Sequence, residues 1–386
     1  MATASSVQYS GIWNLSSQAN AKAAGTWPVA PKPTLFSWGA NNYGQLGLGN
    51  LTYYSSPKQV GSSSWDSVYG GTTVAGAAIK NGELWVWGQN NQGQLGLNNT
   101  TYYSSPKQVG ALTNWSYVAG GTAQFMIALK TNGTLWGWGR NAWGNLGLGN
   151  TAYYSSPKQV GALTNWASIA CGNRYTIAVK TDGTLWGWGQ NLSGNLGLGN
   201  TTYAFSSPQQ IGSLTNWAKP IVNADATSTF AVKTDGTLWA WGSNTSGGLG
   251  LGNTTDYSSP KQVGALTNWS TTSSAYAYGM VAIKTDGTLW TWGANNSGQL
   301  GLGNTTNYSS PKQVGASSTW SKSFATFNAS FAIKTDGTLW SCGNNVYGQL
   351  GLGNTTYYSS FKQVGSLTKW QRITGGQNFL LGIATI

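Results

Sequence analysis

The chain has 386 residues, a formal net charge of +12 and no histidine, so histidine-dependent catalytic triads and zinc sites with histidine ligands are excluded. Only 7% of the residues are charged, and the eight acidic ones are spread thinly along the chain. Because the paired carboxylates of glycoside hydrolases lie within about 10 Å of each other, this distribution predicts no such pair.

The first 30 residues differ in character from the rest of the chain. Between Trp13 and Trp27 lies a run of small residues that is typical of a short helix beginning at Ser16 or Ser17. The segment lacks the basic start and apolar run of a secretory signal peptide, and no stretch of the chain is apolar enough to span a bilayer. We therefore expect synthesis in the cytoplasm, an N-terminal arm over residues 1–30 and no membrane insertion.

A repeat of about 50 residues begins near residue 31 and continues to the end of the chain. Its marker is a Trp-Gly pair that ends a β-prone run, and a seventh copy reads "LWSCG", with Cys342 in the place of the tryptophan. Successive copies are 49 to 53 residues apart, a period typical of solenoids and propellers. The six tryptophans at this position are Trp38, Trp87, Trp138, Trp188, Trp241 and Trp292.

Each unit contains four short β-prone runs separated by turn signals, the pattern of four antiparallel strands. Between residues 165 and 212 the β-prone runs are "NWASIA", "YTIAVK", "TLWGWG" and "SSPQQIG", and Asp182-Gly183 between the second and third is a strong signal for a tight hairpin. Seven such units predict an all-β, seven-bladed β-propeller over residues 31–386.

The two ends of the repeat region are complementary. The first unit starts midway, at "PTLFSWG", and the chain finishes with "WQRITGGQNFLLGIATI", which matches the two strands that the first unit lacks. The sequence therefore predicts that both ends contribute to one blade, which closes the ring and removes open sheet edges.

The remaining chemistry-bearing residues predict no active site. Four aspartates are used in the hairpin turns, and Asp66, Asp225 and Asp256 fall in different blades. Cys171 and Cys342 each replace a repeat residue, and neither has the spacing of a metal site or a disulfide framework. We expect a protein that is not an enzyme and has no catalytic residues, no metal and no cofactor.

Two parts of the unit vary from copy to copy while the rest barely changes. One is the turn that leads into the second strand, and the other is the residue pair inside "GxNxxG". Varied loops on a rigid scaffold are where binding specificity usually lies, although drift without function gives the same pattern. The candidate binding residues are Arg140, Trp143, Arg174, Tyr175, Asp225, Tyr276, Tyr278, Asn328 and Asn378.

The constant loop before the fourth strand suggests an alternative, because it carries tyrosines among Asn, Thr and Ser side chains. Exposed aromatic rings among amides and hydroxyls can stack on the apolar face of a sugar ring. Seven weak equivalent sites would then gain by avidity, as in a multivalent lectin. The tyrosines chosen for this role are Tyr54, Tyr103, Tyr154 and Tyr358.

The stretch "CGNRYTIAVKTDGTLWGWGQNLSGNLGLGN" resembles the repeat of the regulator of chromosome condensation family, and the likeness covers all seven units. The resemblance implies a seven-bladed propeller closed by a shared blade. The founding member is a nucleotide exchange factor for a small GTPase that docks on chromatin, and the family's repeat usually carries a histidine five residues before the position of the lysine that ends the second strand. That position holds no histidine here, so we expect neither exchange activity nor specific nucleic-acid binding. Its occupants are Ala75, Phe125, Tyr175, Ser228, Gly279, Ala329 and Phe379.

The N-terminal stretch "YSGIWNLSSQANAKAAGTWP" is similar to a short stretch in tail and other virion proteins of bacteriophages. This resemblance implies that the arm, with Trp13 and Trp27, attaches the chain to other virion proteins. The function expected from the sequence is therefore a virion structural protein whose propeller presents a surface to a protein or a host-surface glycan. The alternatives are a freestanding intracellular interaction propeller and the lectin described above.

Overall fold

The computed structural model describes residues 31–70, 75–222, 227–274 and 279–386, with the backbone alone for residues 271–274. The predicted arm with Trp13 and Trp27 lies outside these ranges, as do Asp225, Tyr276 and Tyr278. Residues 33–386 form one compact unit. A single 3-10 turn, Thr245–Gly247, is the only helical element in the described ranges, and no helix there could cross a membrane.

The described chain forms seven four-stranded antiparallel sheets, and these are the blades of a propeller. Blade 1 contains strands from both ends of the chain, and blades 2 to 7 follow in chain order. The strands of blade 1 are β1 (Pro33–Gly39), β2 (Tyr54–Ser64), β27 (Trp370–Gly375) and β28 (Phe379–Thr385). The strands of blades 2 to 4 are β3 (Ser67–Tyr69), β4 (Ala75–Lys80), β5 (Glu83–Gly88), β6 (Tyr103–Gln108), β7 (Trp115–Gly121), β8 (Phe125–Lys130), β9 (Leu135–Gly139), β10 (Tyr154–Gln159), β11 (Trp166–Cys171), β12 (Tyr175–Lys180), β13 (Leu185–Gln190) and β14 (Ala204–Gln210). The strands of blades 5 to 7 are β15 (Trp217–Val222), β16 (Ser228–Lys233), β17 (Leu238–Gly242), β18 (Tyr257–Gln262), β19 (Trp269–Ser274), β20 (Gly279–Lys284), β21 (Leu289–Gly293), β22 (Tyr308–Gln313), β23 (Trp320–Ala325), β24 (Ala329–Lys334), β25 (Leu339–Gly343) and β26 (Tyr358–Gln363).

The shared blade closes the ring, as predicted. Blade 1 has the strand order β2-β1-β28-β27, and β1 pairs with β28 along its whole length, from Pro33 opposite Thr385 to Gly39 opposite Phe379. The first strands of neighbouring blades contact one another all the way round, from β3 through β7, β11, β15, β19 and β23 to β27 and back to β3. These seven strands therefore surround the axis, and the all-β seven-bladed prediction is confirmed.

The hairpin between the second and third strands shows how the sequence fixes each blade. In blade 4, Gly183 has a φ of +76°, and a Cβ there would lie 2.0 Å from the carbonyl oxygen of Thr215. The Asp182 carboxylate accepts hydrogen bonds from the Thr184 amide at 2.9 Å and the Thr184 hydroxyl at 2.6 Å. The hydroxyl bond is the main reason why the pKa of Asp182 is lowered. The aspartate therefore stabilises the turn, and the glycine, which has no side chain, leaves room for the loop that contains Thr215.

Six of the seven blades are joined to the one before them through a buried indole. Trp188 of blade 4 is fully buried, and its Nε1–H donates to the Asn145 carbonyl of blade 3 at 3.0 Å. Trp138 donates in the same way to the Gln94 carbonyl at 2.9 Å, and Trp38 of blade 1 donates to the Gln349 carbonyl of blade 7 at 2.9 Å. An unpartnered buried donor is costly, so this bond fixes the position of one blade against the next.

Blade 7 replaces this tryptophan with Cys342, and a second substitution compensates for the lost volume. The Cys342 thiol still donates to the carbonyl of the preceding blade, to Gln299 at 3.6 Å. Phe361 stands where most other units have proline, and its ring packs against Trp320 at 5.5 Å between centroids. A Cβ on Gly301 would lie 2.5 Å from the Phe361 ring and 3.1 Å from the Cys342 sulfur, so the side chains of Phe361 and Cys342 occupy the same region of the core. The smaller cysteine and the larger phenylalanine therefore form a matched pair.

In several blades the lysine that precedes the hairpin is buried against tryptophan rings. Lys180 is 8% exposed, and its Nζ lies 3.6 Å from the ring centroid of Trp186 and 5.0 Å from that of Trp166. Burial lowers the pKa of Lys180. The same arrangement occurs at Lys130 and Lys233. Part of the positive charge is therefore held against aromatic faces by cation–π attraction.

Closure by the shared blade predicts the effect of a truncation. Removing residues 370–386 deletes β27 and β28 and leaves the apolar edge of β1 without its partner strand. We expect the truncated chain to lose the cooperative thermal transition of the full chain. The control is deletion of residues 1–30, which removes none of the 28 strands and should leave the melting temperature unchanged. A truncated chain that melts like the full one would contradict shared-blade closure.

Two glycines with similar backbone angles offer a matched test of the hairpin. Gly183 has a φ of +76° and contacts backbone, whereas Gly212 has a φ of +63° and would have nothing within 4 Å of an added Cβ. Left-handed strain alone should make Gly212→Ala cost about 1–2 kcal/mol of unfolding free energy. Gly183→Ala should cost about 1–3 kcal/mol in addition, because the chain must move. Urea denaturation compares the two, and equal losses would show that the close approach to Thr215 is unimportant.

Buried thiols predict slow modification of the native protein. Cys171 and Cys342 are 5% and 0% exposed, and burial raises the pKa of Cys171 to about 12. Because the thiolate is the reactive form, neither thiol should react with a disulfide reagent at pH 8 while the chain is folded. Both should react at once in guanidinium chloride. Rapid reaction of the native protein would show that one of these sites opens to solvent.

Candidate functional site

The two variable parts of the repeat lie together at one end of blades 1, 3, 4, 5 and 7. In these blades the carbonyl of the residue before the second strand accepts a hydrogen bond from the residue that follows the third strand or ends it. These pairs are Arg140 to Gln124 at 3.0 Å, Gln190 to Arg174 at 2.9 Å, Ser243 to Thr227 at 3.0 Å, Asn344 to Asn328 at 2.8 Å and Ala40 to Asn378 at 2.9 Å. We call the surface formed by these ten residues and the loops that follow them the loop face. The hairpins with their aspartates lie at the opposite ends of the strands, because the strands are antiparallel.

Three of the predicted residues form one cluster on the loop face. Two guanidinium groups contact the Trp143 ring, with the Cζ of Arg140 4.7 Å and that of Arg174 4.2 Å from its centroid. Nε of Arg140 donates to the hydroxyl of Tyr153 at 3.3 Å. Arg174 has a buried Nε with no partner in the described residues. We call Arg140, Trp143 and Arg174 the arginine–tryptophan cluster, and neither arginine pairs with a carboxylate of the described chain.

Tyr175 does not belong to this surface, and its prediction as a binding residue is wrong. Its side chain is 0% exposed, and its hydroxyl donates to the carbonyl of Ser228 in the next blade at 2.9 Å. Thr229 donates to the same hydroxyl at 3.0 Å, and burial raises the pKa of Tyr175. The residue that follows Arg174 is therefore a link between blades 4 and 5.

The structure also corrects the choice of tyrosines for sugar stacking. Tyr154 is half-buried; its hydroxyl accepts a hydrogen bond from Asn150 at 3.2 Å, and the Nζ of Lys158 lies 5.7 Å from its ring centroid. The equivalent asparagine and lysine of their own blades contact the other three predicted tyrosines, Tyr54, Tyr103 and Tyr358. Each of these tyrosines follows directly after another tyrosine, and the first of the two is the exposed one. The exposed residues are Tyr53, Tyr102, Tyr153 and Tyr357.

The remaining two predicted residues, Asn328 and Asn378, lie on the loop face in different surroundings. The Asn328 side chain accepts from Nε2 of Gln299 at 3.3 Å, which connects blades 6 and 7. Asn378 lines a pocket of about 330 Å³ at the junction of blades 1, 2, 3 and 7. We call it the amide pocket, and its lining residues are Ala40, Asn42, Tyr43, Gln45, Gln89, Gln124, Tyr347, Gln377 and Asn378.

Sequence reasoning missed the amide pocket, although part of its signal was present. Tyr43 and Tyr347 occupy the variable pair inside "GxNxxG", as Trp143 does, and Gln124 lies in a variable turn. Gln89 occupies the variable position that Arg140 has in blade 3, whereas Gln45 lies at a position that is Gln or Asn in six of the seven units and carries no such signal. The complementary ends predict that both ends of the chain share one blade, but they do not show which side chains meet at its loop end.

The described residues contain no group of three or more His, Cys, Asp or Glu side chains that could hold a metal ion. Asp182 and its equivalents are engaged in turns at the ends of the strands opposite the loop face. The expectation that the chain is not an enzyme stays a prediction.

Known structures share this architecture. Human WBSCR16 superposes with a TM-score of 0.79 at 19% identity, covering 91% of this chain and 98% of that one. Prp20p from Saccharomyces cerevisiae gives a TM-score of 0.78 at 18% identity, covering 92% of each chain. At these identities the likeness shows the fold alone.

Curated relatives are similar over about half of this chain. The ultraviolet-B receptor UVR8 of Arabidopsis thaliana is 30% identical over 197 residues, which is 50% of this chain and 44% of the receptor. The human probable E3 ubiquitin-protein ligase HERC6 is 31% identical over 195 residues, which is 49% of this chain and 19% of the ligase. The chain thus matches less than half the length of these relatives.

The sequence profile of the regulator of chromosome condensation (RCC1) repeat matches the chain seven times. The matched residues are 34–74, 81–128, 132–179, 182–232, 235–281, 286–326 and 336–383. They cover most of the chain, one match for each unit counted from the Trp-Gly spacing. The chain belongs to the regulator of chromosome condensation (RCC1) repeat family.

Proposed function

We propose that this propeller is a non-enzymatic protein-interaction module and that the arginine–tryptophan cluster is the centre of its binding surface. The observation that carries the proposal is the contact of Trp143 with two arginines, because the guanidinium carbons of Arg140 and Arg174 lie 4.7 and 4.2 Å from its ring centroid. Tryptophan and arginine are the residue types most enriched among those that dominate binding energy at protein interfaces.

The surroundings of the cluster support the same function. Its backbone is held by the Arg140 to Gln124 hydrogen bond and by the loop bond from Leu146 to the Asn141 side chain at 2.9 Å. Stacking on the indole and the bond to Tyr153 hold the two guanidinium groups before a partner arrives. A surface arranged in advance loses less conformational entropy when it binds.

The charge of the cluster indicates the chemistry of the partner. Two guanidinium groups contact the same indole in a chain with a net charge of +12, and neither pairs with a carboxylate of the described residues. Arginine forks bind carboxylates through paired hydrogen bonds. We therefore expect an acidic segment of a protein that places an Asp or Glu between the two arginines.

Relatives in the family give further support for a protein partner. Prp20p is described by its binding properties to Gsp1p and histones, and a complex of yeast RCC1 with Kap60 is known. For this chain a protein partner is a proposal. The alternative that the chain is a virion component attached through Trp13 and Trp27 remains a prediction, because the arm lies outside the described residues.

Site-specific photo-crosslinking tests the proposal. A benzophenone amino acid at Ala142, beside Trp143, should capture a protein partner in the source cell, while the same group at Leu192 of blade 4 should not. Leu192 is the matched control because it occupies the equivalent loop position and is 53% exposed.

Affinity measurements with the purified partner then give the contribution of Trp143 to the free energy of binding. Trp143→Ala should weaken binding by about 2 kcal/mol or more, since truncation of a central aromatic residue has this effect at interfaces. Leu192→Ala should change it by less than about 0.5 kcal/mol. Equal crosslinking at both positions, or an unchanged affinity of Trp143→Ala, would place the binding surface elsewhere.

A further inference from the structure

The amide pocket is built from neutral polar side chains. Six of its nine lining residues carry side-chain amides, two are tyrosines and one is alanine, and none is charged. Its volume of about 330 Å³ is within the range of small-molecule sites. Six lining residues come from blade 1 itself, and its neighbours contribute Gln89, Gln124 and Tyr347.

One amide in the pocket lacks a partner that its equivalents possess. Gln45 is 2% exposed, and its Oε1 accepts from the Tyr43 amide at 2.9 Å, so its Nε2 is the free end. That Nε2 donates to nothing in the described residues. In five other blades the amide nitrogen at this position is bonded within the protein, and those residues are Gln94, Asn145, Asn195, Gln299 and Gln349. The Gln45 residue lines the pocket, so this free donor can meet an acceptor group of a ligand there.

Aromatic rings border the pocket on two sides. Tyr43 is 38% exposed and packs edge-on against Tyr102, with 5.9 Å between centroids. Tyr347 is 39% exposed and packs edge-on against Tyr53 at 6.0 Å. The hydroxyl of Tyr53 in turn bonds to the Asn42 side chain. Each exposed ring is thus oriented by a neighbour and keeps surface for a ligand.

The remaining amides are arranged as a chain of donors and acceptors. Nε2 of Gln124 donates to Oε1 of Gln89 at 3.1 Å, and Nε2 of Gln89 lies 3.5 Å from the Tyr102 hydroxyl. The side chains of Gln377 and Asn378 make no hydrogen bond within the described residues. Amides both donate and accept, so they match a ligand whose groups do the same.

The chemistry of the lining excludes several ligand classes. An anion needs a cation, and none lines the pocket. A hard cation such as Ca²⁺ prefers carboxylates, which are also absent from the lining. What fits is a neutral compound with adjacent hydroxyl groups and an apolar face that can contact a tyrosine ring.

We propose that the amide pocket binds a neutral carbohydrate. Sugar hydroxyls meet Gln45 Nε2 and the side chains of Gln377 and Asn378, and the apolar faces of the glycan contact the rings of both Tyr43 and Tyr347. This single site, specific to blades 1, 2, 3 and 7, differs from a lectin with one site per blade. It does not depend on a protein partner at the arginine–tryptophan cluster.

A glycan panel followed by titration tests the proposal on the full chain. The panel contains immobilised neutral oligosaccharides and the same chains carrying sialic acid or sulfate. We expect saturable binding to a neutral glycan with a stoichiometry of one, as measured by calorimetry with the free oligosaccharide. Tyr43→Ala and Tyr347→Ala should each weaken it by about tenfold, the effect of removing one aromatic contact. Gln45→Met, which removes the free donor at similar volume and also the acceptor of the Tyr43 amide, should weaken it as well when measured well below the melting temperature of the variant.

The matched control is Tyr203→Ala. Tyr203 is 60% exposed in the equivalent loop of blade 4 and lies outside the pocket, so its removal should leave binding unchanged. The proposal is overturned if no neutral glycan binds, if only the charged chains bind, or if the stoichiometry approaches seven. It is also overturned if Tyr203→Ala weakens binding as much as Tyr347→Ala does. Trp143→Ala should not affect glycan binding, so failure here leaves the protein-interaction proposal untouched.

Discussion

The hydrogen bond from a buried indole to the carbonyl of the preceding blade is the constraint on which the rest of the structure depends. In blade 4 it joins Trp188 to Asn145, and six of the seven blades repeat it. The accepting carbonyl belongs to the loop between the third and fourth strands. The bond that joins two blades therefore also fixes the loop that begins the loop face.

Both proposed sites result from this coupling. Arg140 and Trp143 are in the loop whose Asn145 carbonyl is held by Trp188, and Tyr43 is in the loop whose Gln45 carbonyl is held by Trp87 at 2.8 Å. The side chains that vary from blade to blade thus stand on backbone that the core has already positioned. Arg140 also bonds to Gln124, so the arginine–tryptophan cluster and the amide pocket are neighbours on one face.

The sequence predicts the parts of the structure that are periodic. The spacing of Trp-Gly pairs, the Asp-Gly hairpins and the complementary ends were sufficient for seven blades and a shared closure. The local sequence pattern was insufficient to predict which side chains of the loop face are exposed and which of them meet. Tyr153 and Tyr154 look alike in sequence, but Tyr154 is held by Asn150 and Lys158 whereas Tyr153 is 47% exposed. The pairing of Cys342 with Phe361, and the meeting of Tyr347 with Gln45, depend on contacts between blades that periodicity does not specify.

Replacing one indole of blade 4 by phenylalanine tests the constraint most directly. Trp186 is the matched control, because its Nε1–H bonds only to the Thr184 hydroxyl of its own blade, at 2.8 Å, and its ring is half-buried. The measured quantity is the free energy of unfolding in urea. Trp188→Phe should lower it by about 2–4 kcal/mol, since it leaves the buried Asn145 carbonyl without this donor and opens space between blades. Trp186→Phe should lower it by about 1 kcal/mol or less. Equal losses for the two variants would show that the bond between blades does not hold the ring together.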